Sequence, residues 1–329
     1  MQAIIYRRFG SPDVLEATQV ERPIAGDDEV LVEVRAAGIN PYDWHFLRGE
    51  PLLFRPMMGL GLRRPRRAII PGSDVAGVVK AVGTSVTKFR PGDEVYAIAG
   101  TGGFAEFVAV PERLLALKPV NTTFEQAAAV PMAALTALQA LRDFGRIQPG
   151  QKVLVNGASG GVGSFAVQIA RALGAAEVTG VCSTRNLELV RSLGADHVID
   201  YTNEDFTRSD ERYDLLVDTV GNRSLRAFRR ALASRGTFVS VGGGGGRLLG
   251  PMLQLLRARL LSPFVGQRLV TMIATRKAED LLVLKELIEG GKVKPLIDRT
   301  YPLAEGAEAI RYLEQHHARG KVVVTVANR

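Results

Sequence analysis

A glycine-rich turn between an apolar run and a helical run constrains the fold of this 329-residue chain more than any other feature. Residues 153–156 read Val-Leu-Val-Asn, residues 157–163 read Gly-Ala-Ser-Gly-Gly-Val-Gly, and the next segment carries apolar residues at the helical period. A strand, a glycine turn and a helix in this order predict a dinucleotide site, where small residues let the backbone approach a pyrophosphate at a helix N-terminus. The predicted contact residues are Ser159, Gly160, Gly161, Val162 and Gly163.

The segment after the next predicted strand, 177–181, indicates which dinucleotide binds. Cys182 is followed by Ser183, Thr184 and Arg185, and no acidic residue appears until Glu188. A site for NAD would carry Asp or Glu here to accept from the ribose 2′-hydroxyl, whereas hydroxyl groups and a guanidinium suit a 2′-phosphate. We therefore predict NADPH as the cofactor, bound through Ser183, Thr184 and Arg185. The alternative is that Arg185 is only a solvated charge opening the next helix.

Composition narrows the class of protein. The chain is 46% hydrophobic and 23% charged, which is ordinary for a globular protein, and its length suggests about two domains. A single cysteine, Cys182, excludes an internal disulfide and fits a reducing compartment. Residues 1–6 already read as a strand rather than as a secretory signal, so we expect a cytoplasmic protein. Three arginines interrupt the longest apolar region, 248–270, and argue against a membrane-spanning helix.

The net charge of +8 is mostly an excess of arginine, with its densest cluster at Arg55–Arg67. A basic loop threaded with apolar residues could touch an anionic membrane surface or a phosphorylated substrate; the alternative is a solvated loop. No recognised nucleic-acid-binding module accompanies the charge. We therefore expect a small-molecule substrate and no nucleic-acid partner.

The pattern of predicted secondary structure changes once along the chain. Residues 1–120 contain short Val-rich runs separated by turn signals such as Pro71-Gly72, which predict a barrel-like all-β unit. From Thr123 an alanine-rich helical segment, broken at Pro131, leads into alternating strand and helix patterns, which predict a parallel sheet with helices on both faces. A helix at 278–289 and a last strand at 321–326 follow, and that strand should return to the first domain. The predicted domains are 1–121, completed by 277–329, and 122–276.

Six short segments in order carry a family resemblance: Ala37–Asp43, Pro71–Gly77, Pro91–Val95, Leu135–Leu138, the glycine turn and Gly290–Val293. With them the whole chain resembles the medium-chain dehydrogenase/reductase superfamily, in particular its quinone oxidoreductases of the zeta-crystallin and alkenal/one oxidoreductase types. The resemblance implies an α/β fold, with a Rossmann doubly wound parallel sheet domain and a GroES-like mostly-β barrel domain. It also implies hydride transfer from NADPH to quinones or α,β-unsaturated carbonyls. The alternatives are an enoyl-thioester reductase and a non-catalytic NADPH-binding protein.

The zinc-dependent branch of that superfamily carries three metal ligands. Their positions correspond here to Asn40, to Ser73-Asp74 and to a residue near Met132. Catalytic zinc needs three protein ligands from thiolate, imidazole or carboxylate groups, and only Asp74 offers one. We therefore predict a metal-free enzyme. Without a Lewis acid, acceptors that delocalise the incoming charge, such as quinones and enones, are the more accessible substrates.

The resemblance also places candidate catalytic residues. Asn40 should face the nicotinamide and donate to a developing oxyanion, although it could instead only cap the turn beside Pro41. Tyr42 and His45 resemble a hydroxyl–imidazole proton relay, and either could deliver the proton; the alternative is that both are wall residues. The remaining candidate cofactor-binding residues are Thr136, Tyr201, Val241, Gly242, Gly243 and Lys321. The glycines of 242–246 could alternatively form a loop without contact to the cofactor.

The run Arg268–Ala274 is apolar and β-prone. In the superfamily that it resembles, the corresponding strand pairs with its twofold mate, and an unpaired exposed strand would invite aggregation. We therefore predict a homodimer. The alternative is an internal strand covered by a helix at Leu253–Leu261.

Overall fold

The computed structural model describes residues 1–50, 64–241, 266–315 and 318–326. By its internal contacts the chain divides into two compact units. The first unit comprises Met1–Ala133, Arg276–Gly290 and Pro295–Arg329, and the second comprises Ala134–Thr275 and Gly291–Lys294. The predicted helix at Leu253–Leu261, the glycines 242–246 and the arginines 55 and 63 lie outside the described residues.

The strands are numbered along the chain. They are β1 (Gln2–Ile5), β2 (Glu16–Gln19), β3 (Glu29–Ile39), β4 (Asp74–Val82), β5 (Glu94–Ile98), β6 (Phe107–Pro111), β7 (Leu115–Leu117), β8 (Lys152–Asn156), β9 (Glu177–Cys182), β10 (His197–Asp200), β11 (Tyr213–Asp218), β12 (Leu232–Ser240), β13 (Arg268–Thr271), β14 (Ile297–Pro302) and β15 (Lys321–Thr325).

The helices of the described residues are numbered in the same way. They are α1 (Pro41–Arg48), α2 (Phe124–Ala128), α3 (Pro131–Gln139), α4 (Gly161–Ala172), α5 (Leu187–Ser192), α6 (Leu225–Ala231), α7 (Ala278–Glu289) and α8 (Gly306–Glu314). A π-helical turn, Ala140–Gly145, follows α3, and a 3₁₀ turn, Thr184–Asn186, precedes α5. Among the described residues, no helix has both the length and the apolar character that a bilayer crossing requires.

The first unit is built on a seven-stranded, mostly antiparallel sheet. Its order is β14-β15-β3-β4-β5-β7, and β6 also pairs with β3; β1 and β2 form a separate pair. The last strand, β15, lies antiparallel to β3, so the predicted return of the chain end to the first unit is confirmed. Gly38 lets the centre of this sheet approach α2, because a Cβ there would lie 2.2 Å from the carbonyl oxygen of Ala128.

The helix α2 groups with the first unit, although the sequence suggested a domain boundary at residue 122. Thr123 starts the helix with a capping box, in which its hydroxyl accepts from the amide of Gln126 at 3.2 Å and its own amide donates to Gln126 Oε1. Conversely, Lys294 groups with the second unit, since the side chain of Gln168 bonds both its amide and its carbonyl oxygen. As boundaries of independently folding domains, residues 121/122 and 276/277 stay predictions.

The second unit contains six parallel strands in the order β10-β9-β8-β11-β12-β13. In order of their appearance along the unit this is 3-2-1-4-5-6, the doubly wound order of dinucleotide-binding domains. The predicted Rossmann sheet is therefore confirmed. The helix α6 is short, because Ser224 caps its start and β12 already begins at Leu232. The order reverses between β8 and β11, which is where such sheets bind ligands.

Candidate active site and cofactor site

The glycine-rich turn forms the tight strand-to-helix connection that the sequence predicts. Gly157 follows β8 with a φ of +86°, a left-handed conformation that glycine adopts without strain. A Cβ at Gly163 would lie 2.1 Å from the carbonyl oxygen of Gly157, so a side chain there would push the helix off the turn. The first helical bond of α4 runs from the amide of Ser164 to the carbonyl of Gly160 at 2.9 Å. The N–H groups of residues 161–163 precede that bond and can bind a phosphate.

A buried amide joins this turn to the end of β9. Asn186, which is 5% exposed, donates through Nδ2 to Ser159 Oγ at 3.0 Å and to Ser183 Oγ at 3.3 Å. Both serines are half-buried. The structure thus brings together Ser159 and Ser183, which the sequence assigned to two different parts of the cofactor. The linking residue, Asn186, was not among the predicted site residues, since nothing in the local pattern shows which way its side chain turns.

A carboxylate also lies at the end of β9, which the sequence argument missed. Asp200 ends β10 and pairs in register with Cys182, and its Oδ2 accepts from the hydroxyl of Thr184 at 2.5 Å. This bond, with others from Thr202, holds the pKa of Asp200 below its ordinary value, so the group is an anion. The sequence argument considered only the residues that follow β9 up to Glu188, whereas Asp200 reaches the end of β9 through the pairing of β9 with β10. The hydroxyl hydrogen of Thr184 points to Asp200, and the predicted contacts of Ser183, Thr184 and Arg185 with a 2′-phosphate stay predictions.

The other described cofactor candidates of the second unit lie at strand ends or in α3. Tyr201 directly follows β10, is 47% exposed, and donates its amide hydrogen to the carbonyl of Cys182. Val241 follows β12, and its amide donates to the carbonyl of Asp218 at 2.9 Å. Thr136 is buried within α3. Gly242 and Gly243 lie outside the described residues. The assignment of all five to the cofactor stays a prediction.

In the first unit, Asn40 is the centre of a buried polar network at the junction of β3 and α1. Its Nδ2 donates to Ser73 Oγ and to Asp74 Oδ2, each at 2.9 Å, and its Oδ1 accepts from the ammonium of Lys321. Both amide hydrogens are therefore used inside the protein. Donation to a substrate oxyanion, the predicted role of Asn40, would require one of these two bonds to be exchanged.

Lys321 and Asp74 form the charged part of this network. The ammonium of Lys321 also donates to the carbonyl of Ile39 at 2.8 Å and lies 3.8 Å from Asp74 Oδ2, while both side chains are almost completely buried. Burial raises the pKa of Asp74 to about 6 and lowers the pKa of Lys321, although each charge favours the other. The loss of hydration thus outweighs the attraction between the two groups. The predicted contact between Lys321 and the cofactor stays a prediction.

The network occupies the positions where zinc-dependent members of the resembled superfamily bind their metal. Asn40, Ser73 and Asp74 are bonded to one another, and the amide of Met132 donates to both oxygens of Asp74 at 3.1 and 3.2 Å. The side chains supply an amide, a hydroxyl and one carboxylate, with an ammonium beside them, and this set does not fit catalytic zinc. In the part of the chain that the structure describes, no group of three or more His, Cys, Asp or Glu side chains could hold a metal ion.

Tyr42 and His45 lie on α1, three residues apart and so on the same side of the helix. The ring of Tyr42 packs against Phe46 with centroids 4.2 Å apart, and burial raises the pKa of its phenol, which therefore keeps its proton at neutral pH. The ring of His45 stacks on Trp44, and its Nδ1 lies 3.7 Å from a carboxylate oxygen of Glu50. The relay that the sequence suggested for Tyr42 and His45 stays a prediction.

Comparison with known proteins agrees with this architecture. The family model of the alcohol dehydrogenase GroES-like domain matches residues 26–120, and the model described as zinc-binding dehydrogenase matches residues 193–324. The chloroplast envelope quinone oxidoreductase homolog of Arabidopsis thaliana is 35% identical over 98% of both chains. The NADPH-dependent alkenal/one oxidoreductase of Arabidopsis thaliana chloroplasts is 36% identical over 98% of this chain and 79% of its own length.

Comparison with solved structures also shows similarity to a quinone oxidoreductase. The quinone oxidoreductase of Escherichia coli, solved in complex with NADPH, superposes with a TM-score of 0.84 at 26% identity over 99% of this chain and 100% of that one. The chain belongs to the medium-chain dehydrogenase/reductase superfamily, in its quinone oxidoreductase branch. The predicted family and the predicted pair of a GroES-like and a Rossmann-type domain are confirmed.

The buried acids of the Asn40 network predict an unusual dependence of stability on pH. Asp43, on α1, belongs to this network, because its Oδ2 accepts from the backbone amide of Asn40 at 2.8 Å and its Oδ1 accepts from that of Gly72 at 3.1 Å. Burial, together with the charge of Asp74, raises the pKa of Asp43 to about 7. In the unfolded chain this acid titrates near pH 4. The folded state therefore holds a proton that the unfolded state has lost between about pH 4 and pH 7, so the free energy of unfolding should fall as pH rises through this interval.

Urea unfolding of the parent and of Asp43→Asn at several pH values tests this expectation. The variant lacks the titrating group. Its free energy of unfolding should therefore decline less than that of the parent between pH 4.5 and 7.5, by on the order of 1–3 kcal/mol. Asp13→Asn is the control, because the exposed Asp13 has a lowered pKa and its removal should not reduce the decline. Parallel curves for the parent and Asp43→Asn would contradict the assignment.

Proposed function

We propose that this protein is an NADPH-dependent oxidoreductase that reduces quinones or α,β-unsaturated carbonyl compounds without a metal ion. The observation that carries the proposal is the Asn40 network, where an amide, a hydroxyl, one carboxylate and the Lys321 ammonium stand at the position of a metal site. The proposal is supported by the relatives named quinone oxidoreductase and NADPH-dependent alkenal/one oxidoreductase.

The second unit has features that fit NADPH. The amides of residues 161–163 and the absence of side chains at Gly160 and Gly163 suit the pyrophosphate, and Ser183 with Arg185 suits the 2′-phosphate. The carbonyl oxygen of the Asn186 side chain is buried without a hydrogen-bond partner among the described residues, which fits a site completed by a ligand. When bound, NADPH supplies a hydride, and the chain's own residues bind and orient the reactants.

The choice of substrate class follows from a donor set that does not fit a zinc Lewis acid. A simple carbonyl needs strong polarisation to accept hydride, worth several kcal/mol when a metal supplies it. In quinones and enones the charge spreads to a conjugated oxygen, so hydrogen-bond donors and a nearby proton source suffice. The Tyr42 phenol, protonated at neutral pH, is the proposed proton donor, with His45 as the second candidate.

The proposed activity is tested by NADPH oxidation with a panel of quinones, alkenals and enoyl thioesters, before and after extensive dialysis against a chelator. We expect turnover with quinones or alkenals, and activity after chelation within about twofold of the untreated enzyme, because the donor set does not fit zinc. Loss of activity that zinc restores would contradict the metal-free assignment. Turnover confined to enoyl thioesters would favour the alternative reductase, and tight NADPH binding with no acceptor would favour a non-catalytic protein.

Arg185→Ala tests the cofactor. Removal of one charged partner of the 2′-phosphate should cost about 1.5–3 kcal/mol, or roughly 10- to 150-fold in NADPH affinity, while NADH affinity should change little. The dissociation constants of both cofactors can be measured by fluorescence titration. Arg208→Ala serves as the control, since this exposed arginine of the same unit lies outside the proposed site. Equal affinity of the parent for the two cofactors would overturn the NADPH assignment.

We further propose a homodimer formed through β13. This strand ends the six-stranded sheet, with β12 as its only partner among the described strands, and Ile273 just beyond it is 83% exposed. An apolar edge strand of this kind is protected when it pairs with a second copy around a twofold axis.

The double variant Val270→Lys/Ile273→Lys tests the dimer, because lysines on an edge strand oppose strand pairing. Light scattering should give a dimer for the parent and a monomer for the variant at micromolar concentration. Leu282→Lys is the matched control, since Leu282 is a half-exposed leucine on α7 of the other unit. A monomeric parent would refute the proposal.

For the location we propose the cytoplasm. The support is chemical: the one cysteine, Cys182, is buried, and burial raises the pKa of its thiol to about 11, which suits a protein that makes no disulfide. Expression of the tagged chain in its source cell and fractionation would test this, and an organellar fraction would contradict it.

A further inference from the structure

The side-chain amide of Asn186 makes the hydroxyl groups of Ser159 and Ser183 hydrogen-bond acceptors. An amide NH₂ group has two donors and no acceptor, so Ser159 Oγ and Ser183 Oγ both accept from Asn186 Nδ2. Each serine hydroxyl therefore keeps its own hydrogen for another partner. Neither hydroxyl donates to another residue in the described part of the chain, and both serines are half-buried rather than fully enclosed.

The two serines stand at chemically different parts of a dinucleotide site. Ser159 lies in the turn before α4, where the pyrophosphate binds, and Ser183 follows β9, where the adenosine ribose binds. They are 24 positions apart in sequence, and Asn186 is the bridge between them. The neighbouring hydroxyl of Thr184 cannot replace that of Ser183 without giving up its 2.5 Å bond to Asp200.

Asn186 is itself built into the protein. It is 5% exposed, and its backbone amide donates to the carbonyl of Ser183 at 2.9 Å. This bond of the 3₁₀ turn Thr184–Asn186 holds the backbone of Asn186 in place. Its Oδ1 is buried with no hydrogen-bond partner among the described residues. An unsatisfied buried acceptor is unfavourable, and a hydroxyl of a bound ligand would satisfy it.

We propose that Asn186 is a positioning residue that selects the 2′-phosphorylated cofactor. By donating to both serines, it turns the hydroxyl hydrogen of Ser159 toward the pyrophosphate and that of Ser183 toward the 2′-phosphate. NADPH uses both oriented donors, whereas NADH uses only the first. The inference rests on the proposed NADPH dependence and assigns part of its specificity to a residue that does not itself bind phosphate.

Asn186→Asp reverses the hydrogen-bond polarity with almost no change of shape. A carboxylate only accepts, so it would draw both serine hydrogens inward and add a negative charge beside the phosphates. We expect NADPH affinity to fall about 100-fold and NADH affinity about tenfold, since two charge-assisted bonds are lost in one case and one in the other. Fluorescence titrations with NADPH and NADH give both numbers, and Asn121→Asp in the first unit is the control for the chemical change.

A double-mutant cycle separates positioning from mere support of the fold. In the parent, the effects of Ser159→Ala and Ser183→Ala on NADPH affinity should be non-additive by about threefold or more, because one amide holds both groups. In an Asn186→Ala background the two effects should add. This cycle also keeps the test decisive if Asn186→Asp does not fold.

The outcomes are distinct for the two proposals. If the parent prefers NADPH but Asn186→Asp weakens both cofactors equally, or the cycle is additive in the parent, Asn186 only supports the fold and the inference is overturned. If the parent binds NADPH and NADH equally well, the proposed preference for NADPH is refuted, whatever the variants of Asn186 show. A selective loss for NADPH with coupling that disappears in Asn186→Ala supports the inference.

Discussion

The burial of the Lys321 ammonium with Asn40 and Asp74 is the constraint around which the first unit is assembled. Lys321 begins β15, Asn40 joins β3 to α1, and Asp74 begins β4. The backbone amide of Met132, at the start of α3, donates to the carboxylate of Asp74. Removing a charge from water is costly unless every partner is in place. The ends of these elements are therefore held in one arrangement, and loss of any one partner leaves a buried charge or amide unsatisfied.

In the second unit the comparable constraint is the spacing of parallel strands. Because β9 and β10 run side by side in register, Asp200 meets Cys182, and the loops after the two strands share one network of hydrogen bonds. The carboxylate is occupied by hydroxyl and amide donors from residues 184, 202 and 203. An acid can thus stand beside a phosphate-binding loop while its acceptor positions serve the protein rather than the ligand.

Local patterns allowed much of the fold to be predicted. The β8–turn–α4 unit follows from residues adjacent in sequence, and α7 agrees with the helix predicted at 278–289. Contacts set by register or by side-chain direction could not be predicted in the same way. Asp200 reaches the end of β9 only through strand pairing, and Asn186 joins Ser159 and Ser183 through a rotamer that the sequence does not encode locally. Lys321 was assigned to the cofactor, and its bond to Asn40, 281 positions away, was not foreseen.

That separation of 281 positions has a consequence for biosynthesis. A ribosome adds about 5–20 residues per second, so tens of seconds pass between the emergence of Asn40 and that of its cationic partner. During this interval β3 and β4 can pair, but the acids at positions 43 and 74 have no ammonium to enclose and must stay hydrated. The first unit therefore completes its folding only after the second unit has been translated, because β15, which pairs with β3, follows the second unit in sequence.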